Sequence, residues 1–273
     1  MQAVRSLIFN TAFYLVLIVL MIAGSPALLF GRHTIFALAR LWARITFWLL
    51  RVICGIRYEF RGMENVPEGG IIVAAKHQSF WETFALSVVF RDFTYILKRE
   101  LTWIPLFGWY MKRSEMIAID RGSGRSALKQ VVERSKPVLA SGRQIVIFPE
   151  GTRRPVGAPP VYKYGIAFIY AGNNAPCLPV AMNSGLFWPR RTFLRRPGTI
   201  VVEFLEPIPP GMDRDPFFAT LQDRLESATN RLIEEAVAKD PALGKVVERN
   251  RTEPARTSRA EDQVPRDTPP SGA

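Results

Sequence analysis

The stretch "IIVAAKHQSFWE" (71–82) carries an apolar run directly into a lysine and a histidine. A short run of consecutive apolar residues such as the one before Lys76 is typical of a buried strand. Ser79, followed three residues later by Glu82, has the pattern of a capping box, which marks the start of a helix. The stretch therefore predicts a buried strand that passes through a short polar loop into a helix.

His77 and Glu82 form the first candidate catalytic pair. Residues five apart on one helix differ by about 140° around its axis, so the two side chains can meet only if His77 lies on the loop. The local sequence leaves two roles open for Glu82, capping the helix and orienting the histidine. A paired carboxylate would fix the imidazole tautomer and leave the other nitrogen free to take a proton from a hydroxyl.

Strand-like and helix-like segments alternate outward from this stretch. The segments "RYEFRG", "FTYILKREL", "MIAID", "RQIVIFPE", "PCLPVAM" and "TIVVEFLEPI" have strand composition, and helical segments separate most of them. Such alternation predicts an α/β fold with a mostly parallel central sheet flanked by helices.

The second candidate constellation is "IVIFPEGTRR" (145–154), where an apolar strand ends in a polar turn. Ligands of open α/β sheets bind beyond the carboxyl ends of strands, where His77 also falls. Gly151 permits close backbone approach, and an arginine in this turn can hold a phosphate through two hydrogen bonds. An ordinary polar loop is the open alternative. The chain has no G-x-S-x-G elbow, so the histidine–carboxylate pair suggests direct transfer to a bound alcohol.

The N-terminal part predicts membrane helices. Residues 6–31 carry no charge and are long enough for a spanning helix, whereas a signal peptide is disfavoured because no A-x-A site follows. Residues 34–53 carry Arg40, Arg44 and Arg51 on one helical face, which predicts an interfacial amphipathic helix. A core helix with one solvated edge, and a hairpin of two helices in one leaflet, remain alternatives. Because arginines follow the apolar run, the rest of the chain is predicted to be cytoplasmic.

Composition narrows the class of protein. The chain has 273 residues, a formal charge of +12, two cysteines and two histidines, which makes a zinc site improbable. The charge excess lies in the apolar N-terminal part and in the core, which favours an anionic membrane surface over nucleic acid. We predict a membrane-anchoring segment over 1–55, a catalytic domain over 56–244 and a disordered tail over 245–273.

Four blocks in order carry a family resemblance: "HQSFWE", "AIDR", "FPEGTR" and "LPVAMNS". They resemble the blocks of the glycerolipid acyltransferases, over about residues 57–210, and the match in "FPEGTR" is highly specific. The resemblance implies a fold like that of glycerol-3-phosphate acyltransferase. Glu82 is a departure, since the family usually has Asp there; the spacing and the acid are kept.

The resemblance implies a role for each matching residue. His77 would be the general base on the acceptor hydroxyl, and Glu82 would orient it. Pro179 and Val180 would line the acyl-donor or acyl-chain side. The remaining positions would bind the acceptor, with the cations on its phosphate: Lys98, Arg121, Glu150, Gly151, Thr152 and Arg153.

The implied function is that of a membrane-bound O-acyltransferase in phospholipid biosynthesis. It would move a fatty acyl group from acyl-CoA or an acyl-carrier protein to the sn-2 hydroxyl of 1-acyl-glycerol-3-phosphate, giving phosphatidic acid. No cofactor or metal is implied, and the expected location is the cytoplasmic side of the inner membrane. The alternatives are another lysolipid acceptor such as a lyso-ornithine lipid, a hydrolase, and a non-catalytic membrane-anchored lipid-binding protein.

One further motif, "WPRRTFLRRPG" (188–198), places four arginines among aromatic residues and prolines. It could contact lipid phosphates or an acidic acyl carrier protein, and a solvated loop is an equal alternative.

Overall fold

The computed structural model describes residues 1–120 and 124–252. Over these residues the chain forms a mixed sheet with helices on both faces. The strands are β1 (Ile56–Arg61), β2 (Ile72–Ala75), β3 (Phe93–Lys98), β4 (Ile117–Ile119), β5 (Gln144–Ile147), β6 (Cys177–Met182) and β7 (Gly198–Phe204). The helices are α1 (Gln2–Ala23), α2 (Arg32–Leu49), α3 (Glu82–Val89), α4 (Phe107–Arg113), α5 (Gly124–Ala140), α6 (Gly165–Asn173), α7 (Ser184–Phe187), α8 (Arg214–Lys239) and α9 (Gly244–Thr252).

The sheet has the strand order β1-β7-β6-β2-β5-β3-β4. Neighbouring strands pair in parallel except for β6 and β7, which are antiparallel. The prediction of a mostly parallel central sheet flanked by helices is therefore confirmed. Because β6, β2, β5, β3 and β4 run in one direction, their carboxyl ends share one edge of the sheet.

Strand β2 lies in the middle of the sheet and is buried on both faces. Val73 and Ala75 belong to a core cluster with α1, α2 and α3, whereas Ile72 and Ala74 pack with α5, α6 and the start of α8. An uninterrupted apolar strand is what such two-sided burial requires.

Helix α1 is long and apolar enough to cross a membrane, judged by length and composition. One side of it packs along the domain. Phe9 and Phe13 contact Trp188 edge to face, and the Tyr110 hydroxyl donates to the carbonyl of Met21. The opposite side exposes an apolar face made of Val4, Leu7, Ile8, Leu15, Ile18, Val19 and Ile22.

Helix α2 has an inner and an outer side. Phe36, Ala43 and Phe47 are buried against the domain, with the Phe47 ring 5.4 Å from Trp81. The sheet and α3 cover this inner side, as the core-helix alternative describes, and the interfacial helix stays a prediction for the outer side. Leu41 and Trp48 remain exposed on the outer side.

The structure also differs from the predicted domain boundaries near the C-terminal end of the catalytic domain. Residues Gly244–Thr252 form helix α9, with Val247 in the core, where a disordered tail was expected from residue 245. The remainder of that tail, 253–273, lies outside the described residues.

A four-residue ion-pair cluster ties α2 to the amino edge of the sheet. The Asp92 carboxylate lies 3.0 Å from Arg32 and 2.9 Å from the buried Arg143, and both arginines also reach Glu115, at 3.3 and 3.0 Å. Burial acts to raise the pKa of Asp92, but the two guanidinium groups outweigh it and hold that pKa below its ordinary value.

We predict that Asp92→Asn destabilises the fold by about 2 kcal/mol, since the buried Arg143 loses a partner. Because the folded-state pKa of Asp92 is lowered, the ionised carboxylate stabilises the fold fully above its unfolded pKa of about 3.9. This stabilisation is lost as pH falls through the folded-state pKa. Chemical denaturation at pH 7 and pH 3 tests both statements. The exposed pair of Glu133 and Lys136 gives a control, Glu133→Gln, expected to cost under about 0.5 kcal/mol.

Candidate active site

The shared carboxyl edge gathers the predicted site residues. His77 follows β2, Glu150 follows the neighbouring β5, and Lys98 ends β3, the next strand. Since strands lie about 5 Å apart, the ends of β2 and β3 are separated by roughly 10 Å. Arg121, which follows β4 in the sequence, lies outside the described residues.

His77 and Glu82 meet as a pair. Nδ1 of the largely buried imidazole lies 3.0 Å from Oε1 of Glu82, whose side chain is fully buried. An ionised carboxylate can only accept hydrogen bonds, so the proton of the imidazole resides on Nδ1. Nε2 is then the unprotonated nitrogen that can act as a base.

Glu82 also performs the capping role that the sequence left open. Its Oε1 accepts the backbone N–H groups of Gln78 and Ser79, both at 2.6 Å. In return the Ser79 hydroxyl accepts the N–H of Trp81 at 3.1 Å. The bond from the Ser79 N–H to Glu82 is one half of a capping box, whereas the Ser79 hydroxyl accepts from Trp81 in place of Glu82, at which regular helix begins. Capping and pairing therefore occur together on one carboxylate.

Helix α7 supplies a partner for the other oxygen of this carboxylate. The buried Ser184 hydroxyl donates to Glu82 Oε2 at 2.9 Å, and the Gly185 N–H donates to the side chain of Gln78 at 3.0 Å. The sequence analysis quoted Ser184 within its fourth block but gave it no role. Its position directly after β6, at the same edge as His77, was the available signal.

The loop after β5 holds His77 from three sides. The His77 N–H donates to Glu150 Oε2 at 2.7 Å, and the His77 carbonyl accepts the N–H of Arg154 at 2.7 Å. The imidazole stacks on Phe148 with ring centroids 4.1 Å apart and an interplanar angle of 18°. Both the backbone and the ring plane of His77 are therefore fixed.

A buried cation compensates Glu150. Lys76 Nζ lies 2.8 Å from Glu150 Oε1 and also pairs with Glu226 of α8, which accepts the Tyr162 hydroxyl at 2.7 Å. Burial raises the pKa of the Glu150 carboxyl, and the Lys76 ammonium and the His77 N–H oppose that shift. Both Glu150 oxygens are thus used inside the protein, so this residue contributes to the site by positioning His77. Sequence reasoning assigned nothing to Lys76, Tyr162 or Glu226.

The other predicted binding residues that the structure describes lie at the rim of the site, on the carboxyl edge of the sheet. Gly151 adopts a left-handed backbone with φ of 69°, and Thr152 and Arg153 follow it as partly exposed residues. Arg153 is fixed through its carbonyl, which accepts a bond from Arg190 at 2.8 Å. Lys98 is more than half exposed and lies 3.2 Å from Glu100.

Pro179 and Val180 do not lie where the fourth block suggested. Both are buried within β6 and pair with Ala74 and Ala75 of β2. They therefore hold the sheet together and do not line a surface for an acyl chain. Among the described residues, no three His, Cys, Asp or Glu side chains lie close enough together to hold a metal ion.

The chain is similar in sequence to known proteins. Residues 57–183 match the family model described as Acyltransferase. The 1-acyl-sn-glycerol-3-phosphate acyltransferase of Pseudomonas aeruginosa is 45% identical over 161 residues, which cover 59% of this chain and 63% of that protein. The chloroplastic 1-acyl-sn-glycerol-3-phosphate acyltransferase BAT2 of Brassica napus is 30% identical over 182 residues, which cover 64% of this chain and 51% of that protein. The chain thus spans less than two thirds of the length of either relative.

A solved structure shares the fold. The crystal structure of the 1-acyl-sn-glycerophosphate (LPA) acyltransferase PlsC from Thermotoga maritima superposes with a TM-score of 0.69 at 22% identity. The match covers 85% of this chain and 99% of that one.

We predict that Lys76→Met destabilises the protein by about 3 kcal/mol, because it leaves the Glu150 carboxylate buried without its cation. A carboxyl group whose folded-state pKa is raised does not lower the free energy of unfolding below its unfolded pKa of about 4.3. Above that pH it lowers this free energy by an amount that grows as pH rises. The destabilisation should therefore shrink from pH 7 to pH 4 in denaturation experiments. Lys98→Met, which removes an exposed pair, is the control and should cost under about 1 kcal/mol. Equal losses in the two variants would contradict the assignment.

Proposed function

We propose, from the match of residues 57–183 to the Acyltransferase family model, that this protein transfers a fatty acyl group from a thioester donor to the free sn-2 hydroxyl of 1-acyl-glycerol-3-phosphate. The product is phosphatidic acid. The observation that carries the proposal is the pair of His77 and Glu82 at the sheet edge that also bears the loop of Arg153.

The geometry supports a direct transfer. Nε2 of His77 takes the proton of the acceptor hydroxyl while that oxygen attacks the thioester carbonyl. A carbon–oxygen bond forms and the carbon–sulfur bond breaks. The thiolate that leaves then receives the proton from the imidazolium. Glu82 stabilises the imidazolium through Nδ1, and the thioester already contains a good leaving group.

The rim cations support a phosphate-bearing acceptor. Arg153 follows β5 and Lys98 ends β3, so both place positive charge at the edge where His77 lies. Arg121, which follows β4 in the sequence, is the third cation that the family resemblance implies. A guanidinium can hold a phosphate through two parallel hydrogen bonds, which also orients the acceptor. The phosphate would thereby position the sn-2 hydroxyl at His77.

The N-terminal helices support access to a membrane. The exposed apolar face of α1, together with the exposed Leu41 and Trp48 of α2, gives segment 1–55 the surface of an anchor. Arg32, Arg40 and Arg44 follow α1, whereas Arg5 alone precedes its apolar run. An anchor flanked by these arginines supports a location of the catalytic domain, 56–244, on the cytoplasmic side of the inner membrane, whose anionic leaflet attracts cations.

Acyl transfer by purified membranes tests the proposal, with a labelled thioester donor and a panel of lysolipid acceptors. His77→Ala should lose at least about 100-fold in kcat, because the general base is absent. Glu82→Gln should lose most activity, since it cannot stabilise the imidazolium, whereas Glu82→Asp should keep a measurable part. Full transfer by His77→Ala would refute the catalytic assignment, and release of free fatty acid in place of lipid product would indicate a hydrolase.

Arg153→Gln tests the choice of acceptor. We expect KM for the phosphate-bearing acceptor to rise about 10-fold or more with a smaller change in kcat, because one charged hydrogen-bonding group is lost. Arg153→Lys should recover part of the loss, since the charge returns without the planar fork. An unchanged KM, or equal preference for an acceptor without phosphate, would contradict this part of the proposal.

A further inference from the structure

The segment 188–198, which we term the arginine loop, takes no part in the proposed acyl transfer, although its Arg190 donates to the carbonyl of Arg153. It connects α7 to β7 and contains Arg190, Arg191, Arg195 and Arg196. No acidic residue occurs in the sequence between Glu150 and Glu203, although this stretch contains seven lysines and arginines. The loop is therefore strongly positive without any acidic neighbour in sequence.

One arginine holds the loop together from inside. Arg195 is buried, with its guanidinium 4.4 Å above the ring of Trp188. It donates to the carbonyls of Thr192, Phe193 and Leu194 at 2.8, 3.3 and 3.3 Å. Because these carbonyls turn inward to one cation, the loop has a defined shape.

The loop is also bonded to helix α1. Gln2, Ser6 and Asn10, spaced four apart, lie on one face of α1. The Gln2 side chain donates to the Arg195 carbonyl, and the Arg195 N–H donates to the Ser6 hydroxyl at 2.9 Å. Asn10 donates to the Phe193 carbonyl at 3.1 Å and accepts from Arg195 at 2.9 Å. The loop and the first three turns of α1 thus form one unit.

The outer side of this unit combines apolar and cationic groups. Phe193 and Leu194 are 48% and 42% exposed, and Val4, Leu7 and Ile8 of α1 are also exposed. Arg191 is exposed at the turn of the loop, where its backbone has a φ of 55°. Apolar side chains that project beside cations, next to an apolar helix, match the interfacial region of an anionic bilayer.

We propose that the arginine loop is a membrane contact, in which Phe193 and Leu194 enter the headgroup region and Arg191 pairs with lipid phosphates. This inference rests on the proposed action at a membrane. An acidic carrier protein would also suit the arginines. The lipid surface is favoured because the loop is bonded to α1, whose exposed apolar face continues the same surface.

The contact has a consequence for the position of α1. The loop carries charges that resist entry into hydrocarbon, and its backbone is hydrogen-bonded to Ser6 and Asn10. The first turns of α1 must then lie at headgroup depth, alongside the loop. Arg190 of the loop also donates to the Arg153 carbonyl, so the same contact sets the proposed phosphate site beside the lipid surface.

Site-specific fluorescence in proteoliposomes of phosphatidylcholine and phosphatidylglycerol tests the contact. The two cysteines of the chain, Cys54 and Cys177, are buried, so an introduced cysteine is the accessible thiol. We compare Leu194→Cys with Ser227→Cys, an exposed position on α8. A label at 194 should be quenched by nitroxide lipids and protected from aqueous iodide, and the label at 227 should behave in the opposite way.

Equal access of iodide to both labels would overturn the proposal. So would protection of the label at 194 by an added acidic carrier protein but not by lipid. This measurement needs no turnover, so a failure of the proposed activity leaves it interpretable.

A charge variant gives a functional readout. Arg191→Glu should lower acylation of an acceptor embedded in anionic vesicles on the order of 10-fold, since the charge near the surface reverses. It should leave the rate with a short-chain, monomeric acceptor unchanged, and Arg191→Lys should behave as the natural chain. An equal loss with both acceptors would contradict a membrane role, because it would indicate damage to the site itself.

Discussion

The architecture around the site depends on one buried carboxylate, that of Glu82. A fully buried carboxylate is tolerated only where hydrogen bonds replace its hydration. Here two backbone N–H groups, the imidazole of His77 and the hydroxyl of Ser184 supply them. These donors come from the loop after β2 and from the helix after β6, so satisfying the carboxylate requires both strands to end at the same place. The parallel pairing of β2 with β6 meets that requirement.

A second buried carboxylate, that of Glu150, fixes the main chain of His77, whereas Glu82 fixes its ring. Glu150 accepts the His77 N–H, and Lys76 compensates its charge. Lys76 and His77 are adjacent, and their side chains serve different systems: the cation is buried with Glu150 and Glu226, whereas the imidazole stacks on Phe148. The lysine at the strand end is thus the counter-ion that permits the "FPEGTR" loop to pack against the histidine. Two carboxylates, one for each part of the residue, leave His77 little conformational freedom.

The central sheet was predictable because its strands are short apolar runs that alternate with helical segments. The spacing of His77 and Glu82 excludes a shared helical face, so it predicted that any pairing would require His77 on the loop, and it left the capping role of Glu82 open. Two buried partners were not predictable, Ser184 of Glu82 and Glu226 of Lys76, since both are distant in sequence and are ordinary polar residues locally. Helix α2 shows a second limit of what the sequence pattern predicts. Its pattern marks an apolar and a basic side, but the pattern does not state whether the sheet or a lipid covers the apolar one.

These contacts explain why a glutamate fits at position 82, where the glycerolipid acyltransferases usually have aspartate. Oε1 reaches back to the N–H groups of Gln78 and Ser79 and to the imidazole, while Oε2 reaches Ser184 of α7. Glu82 is the first residue of α3, so its backbone position is set by the helix and its reach by the side chain alone. A shorter acid in the same backbone would move about 1.5 Å from one of these two groups of donors, because one carbon–carbon bond is removed. The longer side chain therefore allows one carboxylate to join the helix start, the catalytic ring and the neighbouring strand end.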